Sequence, residues 1–270
     1  MNCSLIISTY NWPQALRLCL QSVANQRQLP GEVVIADDGS EKDTENLIKK
    51  FQQKFPVEIK HIWHPDEGFL LAAIRNKAIA ASSFEYIIQI DGDLILHPYF
   101  VADHLAMKKE GHFVAGSRVM LSQKTTANLI QHHSIDVKKY GMPRLDTNTI
   151  RSSFLRNILA LRYKSKGKYR FYVKGCNMAF FKKDLLKVNG YNEAFTGWGS
   201  EDREIAIRLI NGGLKKQFLK NSGICYHLYH PSSSKEKEIK NEELMRLAIE
   251  TKSTWANDGL NKYLHSYLHS

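Results

Sequence analysis

Strand-like and helix-like patterns alternate along the first hundred residues of the chain. Short apolar runs typical of buried strands recur, and segments with helical spacing separate them. The predicted strands cover residues 3–8, 32–36, 57–63 and 86–90. The predicted helices begin near Pro13, Thr44 and Gly68. Strands separated by helices indicate a parallel sheet with right-handed crossovers, so we predict a Rossmann-like half.

The pattern becomes less regular after Leu94. We predict further helices over residues 98–110, 183–189 and 202–211. Further strands are predicted over residues 113–120, 169–174 and 217–226. The stretch 121–168 has weak periodicity and high charge, so we interpret it as a basic insertion.

These elements predict an α/β fold in one domain over residues 1–231. Its first half would cover 1–97, and its second half 98–231. The Lys- and Glu-rich tail over 232–270 is predicted to form a helical extension.

Charge and cysteine content narrow the classes of protein to consider. The net charge of +11 favours an anionic partner: a nucleotide diphosphate, a nucleic acid or an acidic membrane face. Residues 138–170 alone hold ten Lys or Arg and one acid, Asp146, although a solvated surface is the simplest interpretation of such a run. The four scattered cysteines form no Cys-x-x-Cys pair, and the sequence contains neither a membrane-length apolar run nor a signal peptide. We therefore expect a cytoplasmic protein.

An acidic triplet, Asp91-Gly92-Asp93, directly follows the apolar strand predicted at 86–90. Carboxylates in such a place are costly unless a cation or an arginine pairs with them. Two carboxylates at the end of a strand can bind a divalent cation, and that cation can carry a diphosphate. The triplet therefore predicts a metal site.

A second acidic cluster, Glu201-Asp202, follows a tryptophan that lies between two glycines. The glycines free the backbone and leave Trp198 as a stacking surface for a sugar ring. A carboxylate beside that surface could take the proton of an acceptor hydroxyl. Capping of the helix that begins there is the alternative interpretation.

Two further groups of polar residues follow predicted strands. Asp37 and Asp38 end the strand at 32–36, where a carboxylate can accept from a pyrimidine or a ribose, although a turn or helix cap explains them equally. His227 and His230 follow the strand at 217–226. A neutral imidazole could complete the metal shell begun by Asp93, and a surface histidine is the alternative.

In this order and spacing, the motifs resemble an inverting glycosyltransferase of family 2 with the GT-A fold. The resemblance covers roughly residues 5–231. In the first half it rests on ISTYN (7–11), VIADDGS (34–40), AIRNKA (73–78) and DGD (91–93). In the second half, KGCNMAF (174–180), GYNE (190–193) and WGSED (198–202) are similar to a galactosyltransferase-like module of chondroitin-polymerase-type bacterial enzymes.

The resemblance implies a role for each matching residue. Those implied to hold the nucleotide are Thr9, Tyr10, Asp37, Asp38, Arg75 and Asp91, with Arg75 near the diphosphate. Those implied to surround Mn²⁺ or Mg²⁺ are Asp93, Asp91, and His227 or His230. It implies that residues 1–97 bind the nucleotide and that residues 98–231 bind the acceptor and catalyse the reaction. There Asp202 would be the general base and Glu201 would hydrogen-bond the sugar. The residues implied to contact sugar or acceptor are Trp198, Gly175 and Asn177.

The implied reaction is metal-dependent transfer of a hexose or N-acetylhexosamine from a UDP-sugar to a glycan hydroxyl. The WGSED form resembles enzymes that use UDP-galactose, UDP-N-acetylgalactosamine or related donors. Bacterial surface polysaccharide synthesis would be the setting. The basic segment 138–170 could then dock a lipid-linked glycan at the anionic inner membrane face.

Two other classes of protein remain to be weighed. A basic nucleic-acid-binding protein would explain the charge, but the sequence lacks the usual motifs and the acidic clusters would repel phosphate. A sugar nucleotidyltransferase should have a Gly-rich phosphate loop near the N-terminus, and residues 8–13 contain none. Convergence of Asp91, Asp93 and Asp202 in one cleft would favour the glycosyltransferase.

Overall fold

The computed structural model describes residues 2–141, 147–231 and 237–264. In these residues the strands are β1 (Ser4–Thr9), β2 (Glu32–Asp37), β3 (Glu58–Trp63), β4 (Tyr86–Asp91), β5 (Leu94–Leu96), β6 (His112–Gly116), β7 (Val119–Met120), β8 (Asn177–Phe181), β9 (Lys215–Leu219) and β10 (Cys225–His227). The helices are α1 (Pro13–Ala24), α2 (Lys42–Gln52), α3 (Leu71–Ala81), α4 (Phe100–Ala106), α5 (Gln123–Gln131), α6 (Val137–Gly141), α7 (Ser153–Leu159), α8 (Lys182–Lys187), α9 (Glu201–Asn211), α10 (Glu238–Glu250) and α11 (Asn261–Leu264).

A seven-stranded sheet in the order β3-β2-β1-β4-β8-β6-β9 forms the centre of the molecule. Strands β1 to β4 are parallel to one another, as predicted. Every residue of β1 and β2 is buried, since helices cover both faces of such a sheet, and this accounts for their continuous apolar runs. Thr9 pairs with Asp37 and Ser8 with Asp91, so the strand ends lie level at one edge.

Strand β8 enters this sheet in the opposite direction. It pairs antiparallel with β4 on one side and with β6 on the other. Because Asn177 pairs with Ile90, the residues that precede β8 lie at the carboxyl edge of β4. The second half of the chain is thereby brought to the same edge as the first half.

A small second sheet, in the order β5-β10-β7, lies beside that edge. Strand β10 runs antiparallel to β5, and His227 pairs with Leu94. The backbone N–H of Leu228 also donates to the carbonyl of Asp93, at 3.0 Å. This pairing places His227, from the second half of the chain, next to the acidic triplet.

Three strand predictions for the second half are wrong. Residues 169–174 form no strand, since Gly167–Tyr169 is a 3₁₀ turn and the carbonyls of Tyr169 and Tyr172 accept from Lys216 Nζ at 2.7 and 2.8 Å. Residues 113–120 and 217–226 were each predicted as one strand. Each is divided between the two sheets, as β6 and β7 and as β9 and β10.

Both the predicted basic insertion and the tail contain helices joined by turns where the structure describes them. The stretch 121–168 contains α5, α6 and α7, and its residues 142–146 lie outside the described residues. In the tail, α10 packs Met245 and Ala248 against Phe195 and Ile207. Residues 232–236 and 265–270 lie outside the described residues, and the predicted domain boundary at 231 stays a prediction. No helix in the described parts of the chain is both long and apolar enough to cross a membrane.

Candidate active site

A cleft of about 570 Å³ opens at the carboxyl edge of the central sheet. Its volume is in the range usual for small-molecule sites. The predicted site residues that line it are Thr9, Tyr10, Asp38, Arg75, Asp91, Asp93, Gly175, Trp198, Glu201, Asp202, His227 and His230. Both acidic clusters therefore converge in one cleft, as the glycosyltransferase interpretation requires.

Asp37 and Asn177 do not line the cleft, because their polar groups are used inside the fold. The Asp37 carboxylate is buried and lies 2.8 Å from His61 Nε2. The Asn177 side chain is also buried, and its Nδ2 donates to the carbonyls of Ser117 and Gly223 at 2.8 and 3.0 Å. We expected them to contact nucleotide and sugar. The structure instead shows both side chains hydrogen-bonded to protein groups around the cleft.

Arg75 joins the two acidic clusters. Its guanidinium is buried, with Nη2 3.1 Å from Asp91 Oδ1 and Nη1 2.8 Å from Asp202 Oδ1. Nη1 also lies 3.5 Å from Glu201 Oε1, and Nε donates to Ser8 Oγ at 3.2 Å. The guanidinium is thus committed to protein groups, which differs from its expected place beside the diphosphate.

Burial raises the pKa of two carboxyl groups around Arg75. Desolvation, reinforced by the charge of Asp202, raises the pKa of Glu201 to about 8 although Arg75 opposes the shift. Desolvation likewise raises the pKa of Asp91 to about 6, against the influence of Arg75. At neutral pH Glu201 therefore keeps its proton and can donate a hydrogen bond.

Gly175 provides the space that the Asp202 carboxylate occupies. A Cβ at position 175 would lie 1.7 Å from Asp202 Oδ2, so no larger residue fits there. The carbonyl of Gly175 accepts from Gln89 Nε2 at 2.9 Å, and Gln89 Oε1 accepts from Tyr191 Oη at 2.9 Å. Glycine at position 175 thus sets the place of the carboxylate.

A loop with left-handed backbone carries Trp198 into the cleft. Gly197, Gly199 and Ser200 have φ values of 76°, 108° and 72°. The indole is 42% exposed, as a stacking surface requires. Asn241 of α10 donates to the carbonyl of Trp198 at 3.4 Å, so the tail holds a loop of the site.

Asp93, His227 and His230 form a group suited to a divalent cation. Both Nε2 atoms lie 3.2 Å from Asp93 Oδ2. Each Nδ1 donates to a carbonyl, that of Leu228 at 2.8 Å and that of Pro231 at 2.6 Å, so in its neutral form each imidazole turns the Nε2 lone pair toward the carboxylate. Asp93 Oδ1 is buried without a hydrogen-bond partner among the described residues. This arrangement is unfavourable without a cation, so the group fits a metal ion.

Both histidines thus belong to the group that could hold a metal ion, and Asp91 lies outside it. The Asp91 carboxylate pairs with Arg75 instead. Burial lowers the pKa of His227, which favours the neutral form that ligates a metal. The hydrogen bond to Asp93 raises the pKa of His230.

The predicted uridine-binding residues Thr9, Tyr10 and Asp38 also line the cleft. Tyr10 is half exposed, and its Oη donates to Asp66 Oδ2 at 2.8 Å. Asp38 Oδ1 lies 2.7 Å from His64 Nε2, and Oδ2 accepts from the backbone N–H of Leu70 at 3.0 Å. The protein therefore fixes the orientation of the Asp38 carboxylate.

Arg118 lines the cleft and was not among the predicted site residues. It lies between β6 and β7 and donates to Cys176 Sγ at 3.7 Å. Within the described part of the chain, no carboxylate lies within 4.0 Å of its guanidinium. The predicted continuous strand over 113–120 concealed the turn that brings Arg118 into the cleft.

Comparison with known proteins identifies relatives of both halves. Residues 4–188 match the glycosyl transferase family 2 profile, and residues 156–231 match the profile for the N-terminal domain of galactosyltransferase. The chain is 29% identical over 251 residues to the chondroitin synthase of Escherichia coli, covering 86% of this chain and 35% of that protein. The chain thus spans about a third of the length of that synthase.

Solved structures show the same fold. Residues 1–349 of TarS from S. aureus superimpose with a TM-score of 0.65 at 16% identity, covering 99% of this chain and 71% of that one. The same TarS region has been solved with UDP and with UDP-GlcNAc. The mannosyltransferase PcManGT from Pyrobaculum calidifontis, in complex with GDP-Man and Mn²⁺, superimposes at 0.63 with 16% identity over 99% of this chain and 70% of its own. The predicted GT-A fold is confirmed.

Proposed function

This chain belongs to glycosyltransferase family 2, and from that premise we propose metal-dependent, inverting transfer of a hexose or N-acetylhexosamine from a UDP-sugar to a glycan hydroxyl. The setting we propose is bacterial surface polysaccharide synthesis, in keeping with the chondroitin synthase relative. One observation carries the proposal. Asp93, His227 and His230 form a group that could bind a cation, and they line the same cleft as Asp202. Arg75 holds the Asp202 carboxylate in place.

A uridine nucleotide is the proposed donor carrier. Thr9, Tyr10 and Asp38 line the cleft at the carboxyl edge of β1 and β2, the edge where nucleotides bind in open α/β sheets. The UDP and UDP-GlcNAc complexes of TarS support this choice. The WGSED motif supports a UDP-hexose or UDP-N-acetylhexosamine.

Asp93, His227 and His230 would hold Mn²⁺ or Mg²⁺. The two nitrogen donors favour Mn²⁺ over Mg²⁺, because Mg²⁺ prefers oxygen ligands. When bound, the ion would neutralise the diphosphate of the departing nucleotide. The Mn²⁺ complex of PcManGT supports a metal in this fold.

Asp202 would accept the proton of the acceptor hydroxyl. Its carboxylate is oriented by Arg75 Nη1 on one oxygen and by the surface of Gly175 on the other. The hydroxyl oxygen then attacks the anomeric carbon from the side opposite the nucleotide, and the bond to the diphosphate oxygen breaks with its electron pair. Configuration at the anomeric carbon is inverted.

Glu201 and Arg118 would assist this transfer at separate points. Glu201 keeps its proton near neutral pH and would donate a hydrogen bond to a sugar hydroxyl. Arg118 would bind the diphosphate, the role that the sequence assigned to Arg75. A guanidinium that is partly buried in a cleft and faces no carboxylate at ion-pair distance is suited to a phosphate oxygen.

Calorimetric binding of UDP with and without Mn²⁺ tests the proposal. We expect wild-type protein to bind UDP only with Mn²⁺, and Asp93→Ala to lose that binding, because the substitution removes the only carboxylate of the metal group. Asp43→Ala, an exposed change in α2, serves as the matched control and should bind as wild type does. Absence of UDP binding to the wild type under both conditions would contradict the proposed function.

A further inference from the structure

Helix α7 presents apolar side chains to solvent. Phe154 is 71% exposed, and Leu155, Ile158 and Leu161 are exposed as well. Their spacing places them on one side of the helix and its extension. We call these four residues the apolar strip.

The inner side of α7 is fixed to the protein body. Arg156 is buried, and its Nη1 lies 3.3 Å from Asp103 Oδ1, while Arg151 Nη2 lies 2.7 Å from the same oxygen. The carbonyl of Ala160 accepts from the backbone N–H of Phe218 in β9 at 2.7 Å. These contacts keep the apolar strip turned outward.

A group of exposed cations follows the apolar strip directly. We call Arg162, Lys166, Lys168 and Arg170 the basic rim. The sequence contains no Asp or Glu between Asp146 and Asp184. In the regions that the structure describes, none of the four rim side chains lies within ion-pair distance of a carboxylate. The rim therefore keeps its full positive charge.

We propose that the apolar strip and the basic rim dock this protein on an anionic lipid bilayer. The apolar side chains can enter the boundary between the headgroups and the acyl chains of the bilayer. The cations beside them can bind the headgroup phosphates. A polyanion in water, such as RNA, would satisfy the rim but would leave the strip exposed. This inference goes beyond the proposed function, since it does not depend on the donor or the metal.

Docking of this surface bears on how an acceptor reaches the cleft. The chain passes from Arg170 at the rim to Val173 and Lys174, which line the cleft. A bilayer at the rim would therefore lie beside that wall of the cleft. An acceptor glycan carried on a membrane lipid could enter from this side.

Co-sedimentation with vesicles tests the inference. We expect the wild type to bind vesicles of equimolar phosphatidylglycerol and phosphatidylcholine, to bind phosphatidylcholine alone much less, and to bind less in high salt. Lys166→Glu, Lys168→Glu and Arg170→Glu combined should lower partitioning by at least about 100-fold. The control combines Lys49→Glu, Lys50→Glu and Lys54→Glu, which change the net charge by the same amount. These residues lie in or next to α2, at the β3 edge of the sheet, and the control should partition as the wild type does.

A second pair of variants tests the apolar strip. Phe154→Ser with Ile158→Ser should lower partitioning about tenfold at either salt concentration, because it removes inserted apolar surface. Ile239→Ser with Leu247→Ser, exposed on α10, should leave partitioning unchanged. Mn²⁺-dependent UDP binding by each variant would show that the cleft is intact.

Three outcomes would overturn the inference. They are no binding of the wild type to the anionic vesicles, an equal loss in the α2 variant, and full retention of binding by the strip variant. A nucleic-acid surface would be identified instead if RNA abolished vesicle binding of the wild type and the strip substitutions left vesicle binding unchanged. Because UDP binding is measured separately, failure here is distinguishable from failure of the proposed function.

Discussion

The cleft contains two acidic groups that differ in where their positive charge comes from. Asp91 has its cation built into the protein, since Arg75 lies 3.1 Å away and also pairs with Asp202. Asp93, two residues later, has two imidazoles as its ion-pair partners among the described residues, and both Nε2 atoms lie 3.2 Å from its Oδ2. We call these the arginine group and the histidine group. Substitutions in the first should change stability or chemistry, and substitutions in the second should change ligand binding.

The largest effect is expected for Asp202→Asn in the arginine group. Asparagine can still accept from Arg75 but cannot take a proton from the acceptor, so transfer should fall by about 10²–10⁴-fold. Metal-dependent UDP affinity should stay within about twofold of wild type, because the histidine group is untouched. Parallel measurements of sugar transfer and UDP binding check both expectations. If Asp202→Asn lost UDP affinity while Asp93→Ala lost only transfer, the base and the metal group would be assigned the wrong way round.

Removal of the built-in cation should destabilise the fold. Arg75→Met leaves three neighbouring carboxyl groups without their guanidinium, at a cost of about 3 kcal/mol in the free energy of unfolding. Urea unfolding without metal measures this loss. Asp93→Ala is the comparison from the histidine group, and we expect it to change the free energy by less than about 1 kcal/mol. Similar losses in the two variants would contradict the distinction between the groups.

The third prediction concerns Arg118, whose guanidinium has no carboxylate within 4.0 Å among the described residues. Arg118→Met should weaken Mn²⁺-dependent UDP binding by about tenfold, because it removes a charge-assisted hydrogen bond to the diphosphate. UMP, which lacks the second phosphate, should lose much less affinity. Calorimetry with the two nucleotides separates these cases, and Arg162→Met, outside the cleft lining, is the matched control. Equal losses of affinity for UDP and UMP would mean that Arg118 does not bind the second phosphate.

The parallel half could be predicted from the sequence because its signals are local. The strand predicted at 86–90 is β4, which ends at Asp91, and the helix predicted from Pro13 is α1. Continuous apolar runs and a proline at the first turn are enough for these assignments. The second half depends on distant partners. The apolar residues of 169–174 resemble a strand as much as those of β8 do, and only β8 meets β4 and β6.

The motifs identified most of the predicted site residues that line the cleft, and they did not identify Arg118. Asp37 and Asp38 are adjacent in one motif, yet the first points into the protein toward His61 and the second lines the cleft. Sequence alone does not distinguish them, because neighbouring residues at a strand end point in opposite directions. Arg118 belongs to no motif, and its place depends on the break between the two sheets.

The last prediction concerns Glu201, the carboxyl group beside Arg75 whose pKa is raised to about 8. Glu201 has its pKa raised from 4.5 to about 8, so between these values the folded protein holds a proton that the unfolded chain has released. The free energy of unfolding of the wild type should therefore fall as pH rises through this range, by up to about 1.4 kcal/mol per pH unit. Glu201→Gln cannot titrate, so this contribution should be absent from its profile, whereas the exposed Glu67→Gln should follow the wild type. Urea unfolding of the three proteins at two pH values inside the range measures the slopes. Equal slopes for wild type and Glu201→Gln would mean that Glu201 is ionised in the folded protein, and it would then be an acceptor rather than a donor in the cleft.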